Sequence, residues 1–453
     1  MERHAKINKV RVILAVLSLG IAQAQQTDIG GVISKLQQKW TIALPDFHGS
    51  GGAEGFMSTF NSTLREQLSD SGVLTVIEKS LYPQNVPQKP EDFKRPSPWL
   101  TDWSNPPVSA THLVFGYAGI VDDRMVVMGW LYNLAASDPQ SASVFGKKIY
   151  TGDLNKIEAK RMAHEFAADI LQSFNIKSLI GSKIYFVSDR SGQKEIWSMD
   201  YDGSNQKQLT NFKTLTQMPA VSPDGRWLAC TTLEEKPNPY HHIELISTET
   251  RSAAPFRGPQ ASITGWPDFT PDGQRLLFAS SATGDAQIYS ANLKGGDRKQ
   301  LTDSKKTDFS PKVNPKTGAE VLFISDRSGN QQLWRMNIDG SDQEMLTNGQ
   351  GEVANPSWSP DGQFIAFAWT QGFEIGGFNI FMMDVAKRSP SQLTKDSGVN
   401  ENPWWAPDGL HIVFTSKRNG KTQIFVMLAD GNAVRMLTTE GNNYQPVWAN
   451  PLQ

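Results

Sequence analysis

From about residue 180 to the end of the chain, apolar and polar positions alternate over runs of five or six residues, and turns rich in Gly, Asp and Pro separate the runs. Period-two alternation marks half-buried strands, not helices. The pattern also repeats. One unit reads Asn355-Pro-Ser-Trp-Ser-Pro-Asp-Gly362, then an apolar run through Ile365 and Phe367, then Ile380-Phe-Met-Met-Asp384 and Gln392-Leu-Thr394. Another reads Asn402-Pro-Trp-Trp-Ala-Pro-Asp-Gly409, His411 to Ser416, Gln423 to Met427 and Met436-Leu-Thr438. A third has Phe269-Thr-Pro-Asp-Gly273, Leu276-Leu-Phe278, Gln287-Ile-Tyr289 and Gln300-Leu-Thr302. The turn proline recurs at Pro223, Pro271, Pro315, Pro360, Pro407 and Pro451, a spacing of 44 to 48 residues. Such a unit holds four short strands and their turns, which is one propeller blade.

The turn residues have separate jobs: Pro presets φ, Asp bonds back to the backbone, and Gly takes the positive φ. A second turn recurs as Ser188-Asp-Arg-Ser-Gly192, Ser325-Asp-Arg-Ser-Gly329 and Ser416-Lys-Arg-Asn-Gly420, and is expected to be a tight hairpin whose Asp and Arg pair on the blade surface. The first unit begins at Lys183-Ile-Tyr-Phe-Val-Ser188 without a preceding Pro-x-Trp strand. The chain ends on Tyr444-Gln-Pro-Val-Trp-Ala-Asn-Pro451, which is that missing strand. The C-terminus is therefore expected to complete the first blade and close a ring of six, removing the open edges of a linear sheet. The second unit is degenerate: Leu228-Ala-Cys-Thr and His242 to Ile246 keep the strands but not the usual turn.

Ahead of the repeats the pattern changes. Trp40 to Phe47 reads as a strand, and Phe56, Phe60, Leu64 and Leu68 recur at helical spacing. Val73 to Ile77 is a strand, and Tyr82 to Pro107 a Pro-rich loop. Three strands follow (His112 to Val121, Met125 to Leu134, Val144 to Tyr150), and then a helix with Ile157, Met162, Phe166, Ile170 and Phe174 along one face. The fold class is mainly β: a six-bladed β-propeller over 179–453, preceded by a small α/β domain over 25–178.

Residues 1–24 read as a signal peptide, with Arg3, Lys6, Lys9 and Arg11, an apolar run from Val12 to Leu19, and Ala22-Gln23-Ala24 before cleavage after Ala24. Export is expected, to the periplasm, with no direct membrane insertion. Cys230 is the sole cysteine, so neither a disulfide nor a lipidated cysteine at the cleavage site is expected. Without residues 1–24, Lys+Arg fall to 40 and Asp+Glu to 45, a formal charge of −5. That balance disfavours nucleic acid.

There is no Gly-x-Ser-x-Gly nucleophile elbow. Gly49-Ser-Gly-Gly52 lacks the Lys-Ser/Thr of a phosphate loop. His241 and His242 are adjacent, so on a strand they face opposite ways, and they read as a solvent-exposed pair or a loop feature. Asp200-Tyr-Asp202-Gly and Asn337-Ile-Asp339-Gly lack a full calcium-ligand series and read as strand-end turns. No enzyme activity, cofactor or metal is expected. What remains is a rigid disc, whose loops between one blade's outer strand and the next blade's inner strand gather at one rim. They carry Met218, Trp266, Phe309, Asn355, Asn402 with Trp404, and Tyr444 with Gln445, residues suited to a protein contact. For the Trp of each Pro-x-Trp strand, packing between blades is the expected fate.

An export signal, a small α/β domain and six units of this kind resemble the TolB family, the periplasmic propellers of the Tol–Pal system. The resemblance implies a monomeric, non-enzymatic scaffold. It would bind a Pal-type outer-membrane lipoprotein through the channel face of the propeller and TolA through the extreme N-terminus, in support of envelope integrity and cell division. Thr27 to Lys39 departs from the family's N-terminal segment and also fits a helix, which leaves the TolA contact open. The alternative is a propeller that binds or processes a carbohydrate or peptide outside that system.

Overall fold

The computed structural model describes residues 40–234, 239–259, 261–371, 377–395, 397–418 and 420–451. The signal peptide, its cleavage after Ala24 and the segment from Thr27 to Lys39 lie outside the described residues. The chain divides into two compact units, one ending at Ile180 and the other beginning at Gly181.

In the first unit, β1 (Trp40–Ala43), β2 (His48–Gly49), β3 (Leu74–Val76), β4 (His112–Val121), β5 (Arg124–Asn133) and β6 (Ser143–Gly152) form one mixed sheet. Its order is β3-β1-β4-β5-β6, with β2 on β4. Strand β1 is parallel to both neighbours, and β4, β5 and β6 form an antiparallel meander. Among the described residues three α-helices accompany it: α1 (Glu54–Asp70), α2 (Leu100–Ser104) and α3 (Lys156–Ser173). Alternation along β5 sorts the two faces. Phe166 of α3 lies over Gly129 so closely that a Cβ there has no room. The neighbouring Trp130 points the other way and stacks on Phe115 with ring centroids 5.6 Å apart, in a cluster with Phe93 and with Trp103 of α2, a helical turn inside the stretch Tyr82 to Pro107 expected to be loop throughout. Helix α3 starts on Asn155, whose side chain accepts from Glu158 N, and buries Met162, Phe166 and Ile170. Ile157 is 81% exposed, which corrects its place on the buried face. It precedes Phe166 by nine residues, half a turn out of phase at 100° per residue.

The second unit is six four-stranded antiparallel sheets. Blades II to VI each take consecutive strands, with inner strands Thr216–Val221, Thr264–Phe269, Asp308–Val313, Val353–Trp358 and Val399–Trp405. Blade I is made from both ends of the repeat. Its inner strand Asn443–Ala449 pairs with Lys183–Ser188, followed by Glu195–Asp200 and Lys207–Gln208. Tyr444 faces Val187, Val447 faces Tyr185 and Trp448 faces Ile184, and Trp448 Nε1 donates to Ser182 Oγ at 2.9 Å. The ring closes as the repeats require.

One position repeats through the second strand of every blade: Phe186, Cys230, Phe278, Phe323, Phe367 and Phe414, each 0% exposed. The single cysteine thus stands in degenerate blade II where the other blades bury a phenylalanine, and burial pushes its thiol well above the usual range. The Leu-Thr repeat is a latch. In five blades the threonine hydroxyl (Thr210, Thr302, Thr347, Thr394, Thr438) accepts a backbone N–H from the third strand at 2.8–3.0 Å. It also donates to the residue before that N–H, which is Glu195, Gln287, Gln332, Asn379 and Gln423 in turn.

The Ser-Asp-Arg turn differs from expectation. Arg190 bonds Ser188 Oγ, Gln206 Oε1 and Asn443 Oδ1 at 2.7–3.0 Å, not Asp189, and lies 4.6 Å over the Trp197 ring. Arg327 repeats this with Ser325, Gln343 and Asp308, 4.7 Å over Trp334. Guanidinium N–H groups fan out in a plane, so one arginine ties the turn to the fourth and inner strands of its own blade. Asp189 instead takes both Asn442 N and Asn442 Nδ2, at 2.7 and 2.9 Å.

Candidate binding face at the propeller channel

Each inner strand contains a residue followed by proline: Met218, Trp266, Ser310, Asn355, Asn402 and Gln445. Proline offers no N–H to a ladder and is tolerated in a central strand only where pairing is interrupted. The register of all six inner strands breaks at this point. The residue before the proline is left-handed in every case, with φ between 49° and 56°. A non-glycine residue held there costs about 1–3 kcal/mol, and such strain clusters at functional sites. A bulge re-aims its side chain. The result is that all six residues line one cavity of ≈ 70 Å³ at one mouth of the channel.

Five of the eight residues named from the sequence are therefore brought together as ring members: Met218, Trp266, Asn355, Asn402 and Gln445. They belong to the bulges of the inner strands, not to the connecting loops. Phe309 and Tyr444 are each one residue too early. Phe309 packs between blades, 5.4 Å from the Trp266 ring, and its place in the ring goes to Ser310. Tyr444 packs against blade I, with Lys194 Nζ 4.4 Å above its ring. Trp404 lies one layer deeper.

Hydrogen bonds between and within blades hold ring members in place. Met218 N donates to Gln445 Oε1 of the adjacent blade at 2.8 Å, and within blade VI Asn402 Nδ2 donates to Thr415 Oγ1 at 3.2 Å. The next layer consists of the residues after the prolines: Ala220, Asp268, Lys312, Ser357, Trp404 and Val447. Lys312 Nζ is 3.2 Å from Asp268 Oδ1 and 4.7 Å from the centre of the Trp404 ring. Asp268 Oδ2 also accepts Val313 N at 2.8 Å. Burial raises the Asp268 carboxyl above the ordinary range, against the pull of Lys312. Lys312 and Trp404 border both this mouth and a second cavity of ≈ 220 Å³ toward the Pro-Asp-Gly turns, so they form the neck of the channel.

Elsewhere the chemistry is structural. Glu54 accepts Gly52 N at 2.8 Å, so an acidic side chain of the chain itself caps the glycine loop. Asp202 closes its turn by accepting Ser204 N at 2.9 Å. His241 and His242 are half-buried in a strand, not exposed or in a loop, and His242 Nε2 sits 3.2 Å from Glu244 Oε1. Among the described residues no group of three or more His, Cys, Asp or Glu is placed to hold a metal.

The repeats match the family model described as the TolB beta propeller domain, over residues 194–375 and 342–451. The chain belongs to the TolB propeller family. It is 36% identical over 173 residues to a "Protein TolB homolog" of Chlorobium chlorochromatii, covering 38% of this chain and 37% of that protein. It is 30% identical over 230 residues to the "Tol-Pal system protein TolB" of Geobacter sulfurreducens, half of each chain. The chain thus spans between about a third and a half of the length of these relatives. The crystal structure of TolB from Acinetobacter baumannii superposes with a TM-score of 0.73 at 21% identity, covering 91% of this chain and 97% of that one, a likeness of fold. Within this TolB-type propeller the residues missed from the sequence are Ser310, Asp268 and Lys312. A usable signal was present, since each stands directly beside the first proline of its repeat.

Proposed function

We propose that this TolB-family protein is a periplasmic, non-enzymatic scaffold of a Tol–Pal system, and that it holds a Pal-type lipoprotein at the mouth ringed by Met218, Trp266, Ser310, Asn355, Asn402 and Gln445. In this reading residues 1–24 are removed, 25–178 form the N-terminal domain, 179–453 form the propeller, and the mature chain acts as a monomer. Residues 25–39 are the segment offered to TolA. Among the described residues no helix is long and apolar enough to cross a membrane.

The observation that carries the reading is the ring itself. Six strained bulges, one per blade, turn amide, hydroxyl and apolar side chains toward one mouth. Those side chains can hydrogen-bond and pack against a folded partner. Calorimetry of residues 25–453 against the soluble domain of the organism's own Pal-type lipoprotein tests it. Saturable one-to-one binding is expected. Its absence with a folded partner removes the Tol–Pal role and turns the search to sugars and peptides.

A further inference from the structure

The Ser-x-Arg turn occurs in three blades, and in two of them its side chains are engaged inside the propeller. Asp189 and Asp326 fasten the connecting loops that lead into blades I and IV, accepting Asn442 N at 2.7 Å and Thr307 N at 2.9 Å. Arg190 and Arg327 each bond three side chains: the turn serine, a glutamine, and the inner-strand residue that faces the serine.

Blade VI keeps the turn and lacks these ties. Lys417 stands in the place of Asp189 and Asp326, and an ammonium group accepts no hydrogen bond. Val434 stands where Gln206 and Gln343 precede the fourth strands. Asn400 faces Ser416, but its Oδ1 is buried without a hydrogen-bond partner. Arg418 still donates from Nε to Ser416 Oγ at 2.9 Å and lies 4.4 Å over the Phe425 ring. Ser416 is its one hydrogen-bond acceptor among the described residues, which leaves the N–H groups of both Nη atoms open.

The charge of the turn changes as well. Lys417 and Lys421 are exposed, and Lys421 stands directly opposite Arg418 across the hairpin. Like charges placed so destabilise a strand pair, and an anion between them reverses the sign. Among the described residues none of the three cations has an ion-pair partner. Glu440, in the connecting loop that follows, is turned to Arg190 of blade I at 4.0 Å. Ser416 faces Asn400, two residues before the ring member Asn402, so the hairpin stands at the mouth that carries the ring. It lies one to two strand spacings, about 5–10 Å, outward from the inner strand.

We propose that this hairpin is a second contact for the protein held at the ring, and that Lys417, Arg418 and Lys421 receive aspartate or glutamate side chains of that partner. A guanidinium presents paired N–H groups that match a carboxylate, and the flanking ammonium groups add charge without fixed geometry. The inference rests on the reading of the ring as a protein-binding mouth.

Calorimetry and stopped-flow association of residues 25–453 with the soluble Pal-type domain test it. Lys417→Glu combined with Lys421→Glu should weaken binding about tenfold at low ionic strength, chiefly by slowing association. The difference should shrink to less than about twofold near 1 M salt, where the Debye length is about 3 Å. Lys294→Glu combined with Lys316→Glu makes the same change in net charge, in turns at the opposite end of the blades. That control should leave affinity within about twofold, because its sites lie beyond the screening distance from the ring. Equal affinity of the Lys417→Glu, Lys421→Glu protein at low ionic strength, or an equal loss in the control pair, overturns the proposal. Binding to phosphatidylglycerol vesicles that is lost in the hairpin variant, with partner affinity unchanged, assigns the hairpin to a lipid surface and overturns it too. A wild-type protein that binds no partner overturns the ring reading and this inference together, whereas binding that ignores the hairpin overturns this inference alone.

Discussion

Trp448→Ala tests ring closure, because Trp448 belongs to the strand that the C-terminus lends to blade I. Its side chain is 5% exposed, its backbone pairs with Ile184, and its Nε1 donates to Ser182 Oγ at 2.9 Å. Truncating a buried tryptophan to alanine costs about 3–5 kcal/mol through lost transfer energy and the cavity left behind. The indole hydrogen bond adds about 1 kcal/mol. Because the strand joins the two ends of the repeat array, the loss should fall on the propeller as a whole and not on one frayed terminus. Urea unfolding followed by tryptophan fluorescence is expected to show the propeller transition destabilised by about 4–6 kcal/mol. Val434→Ala, changed at a position 45% exposed, should shift it by less than about 0.5 kcal/mol. A Trp448→Ala loss below about 1 kcal/mol would mean that the strand does not close the ring.

Further outcomes follow from single contacts. Thr347→Val should cost about 1–3 kcal/mol in the same assay, since Leu333 N and Gln332 Oε1 both lose their buried partner. Arg327→Met should cost about 3–5 kcal/mol, because Asp308, 0% exposed, is left charged without its partner at 2.7 Å. His112 is held down to about 4 by burial against an ordinary 6.5. The unfolded chain therefore binds more protons between those values, and the stability of the first unit should fall as pH drops from about 6.5 toward 4. Thermal melts of His112→Gln should show a shallower decline over that window, and an equal decline would assign it to other groups.

The propeller was legible because its turns demand particular residues: Pro-Asp-Gly follows four of the six inner strands, at Pro223, Pro271, Pro360 and Pro407, and the split first unit announced the closure. The Leu-Thr repeat was visible too, although its role as a latch was not, since the hydroxyl joins strands 14 residues apart. Ile157 was misplaced because an apolar residue in the first turn of a helix can match a loose spacing while pointing half a turn away from the core. The ring was legible only in part. Bulges shift the alternation by one residue, so Phe309 and Tyr444 took the places of Ser310 and a lone Gln445. The more regular signal is the residue before each inner-strand proline, which is aromatic in one blade only, at Trp266. Asp268, Lys312 and Trp404 each follow an inner-strand proline, but their meeting at the neck was not legible, because it joins three blades and the residues stand 44 to 136 apart in the chain.

The most direct test of the central claim is calorimetry of the Trp266→Gly, Asn402→Gly double variant against the Pal-type lipoprotein domain. Glycine adopts the positive φ of both sites without strain, so the bulges should persist while the two side chains are removed. Binding is expected to weaken at least tenfold with the propeller's urea midpoint close to that of the wild type. Unchanged affinity in a folded double variant would place the partner elsewhere and contradict the assignment of the ring.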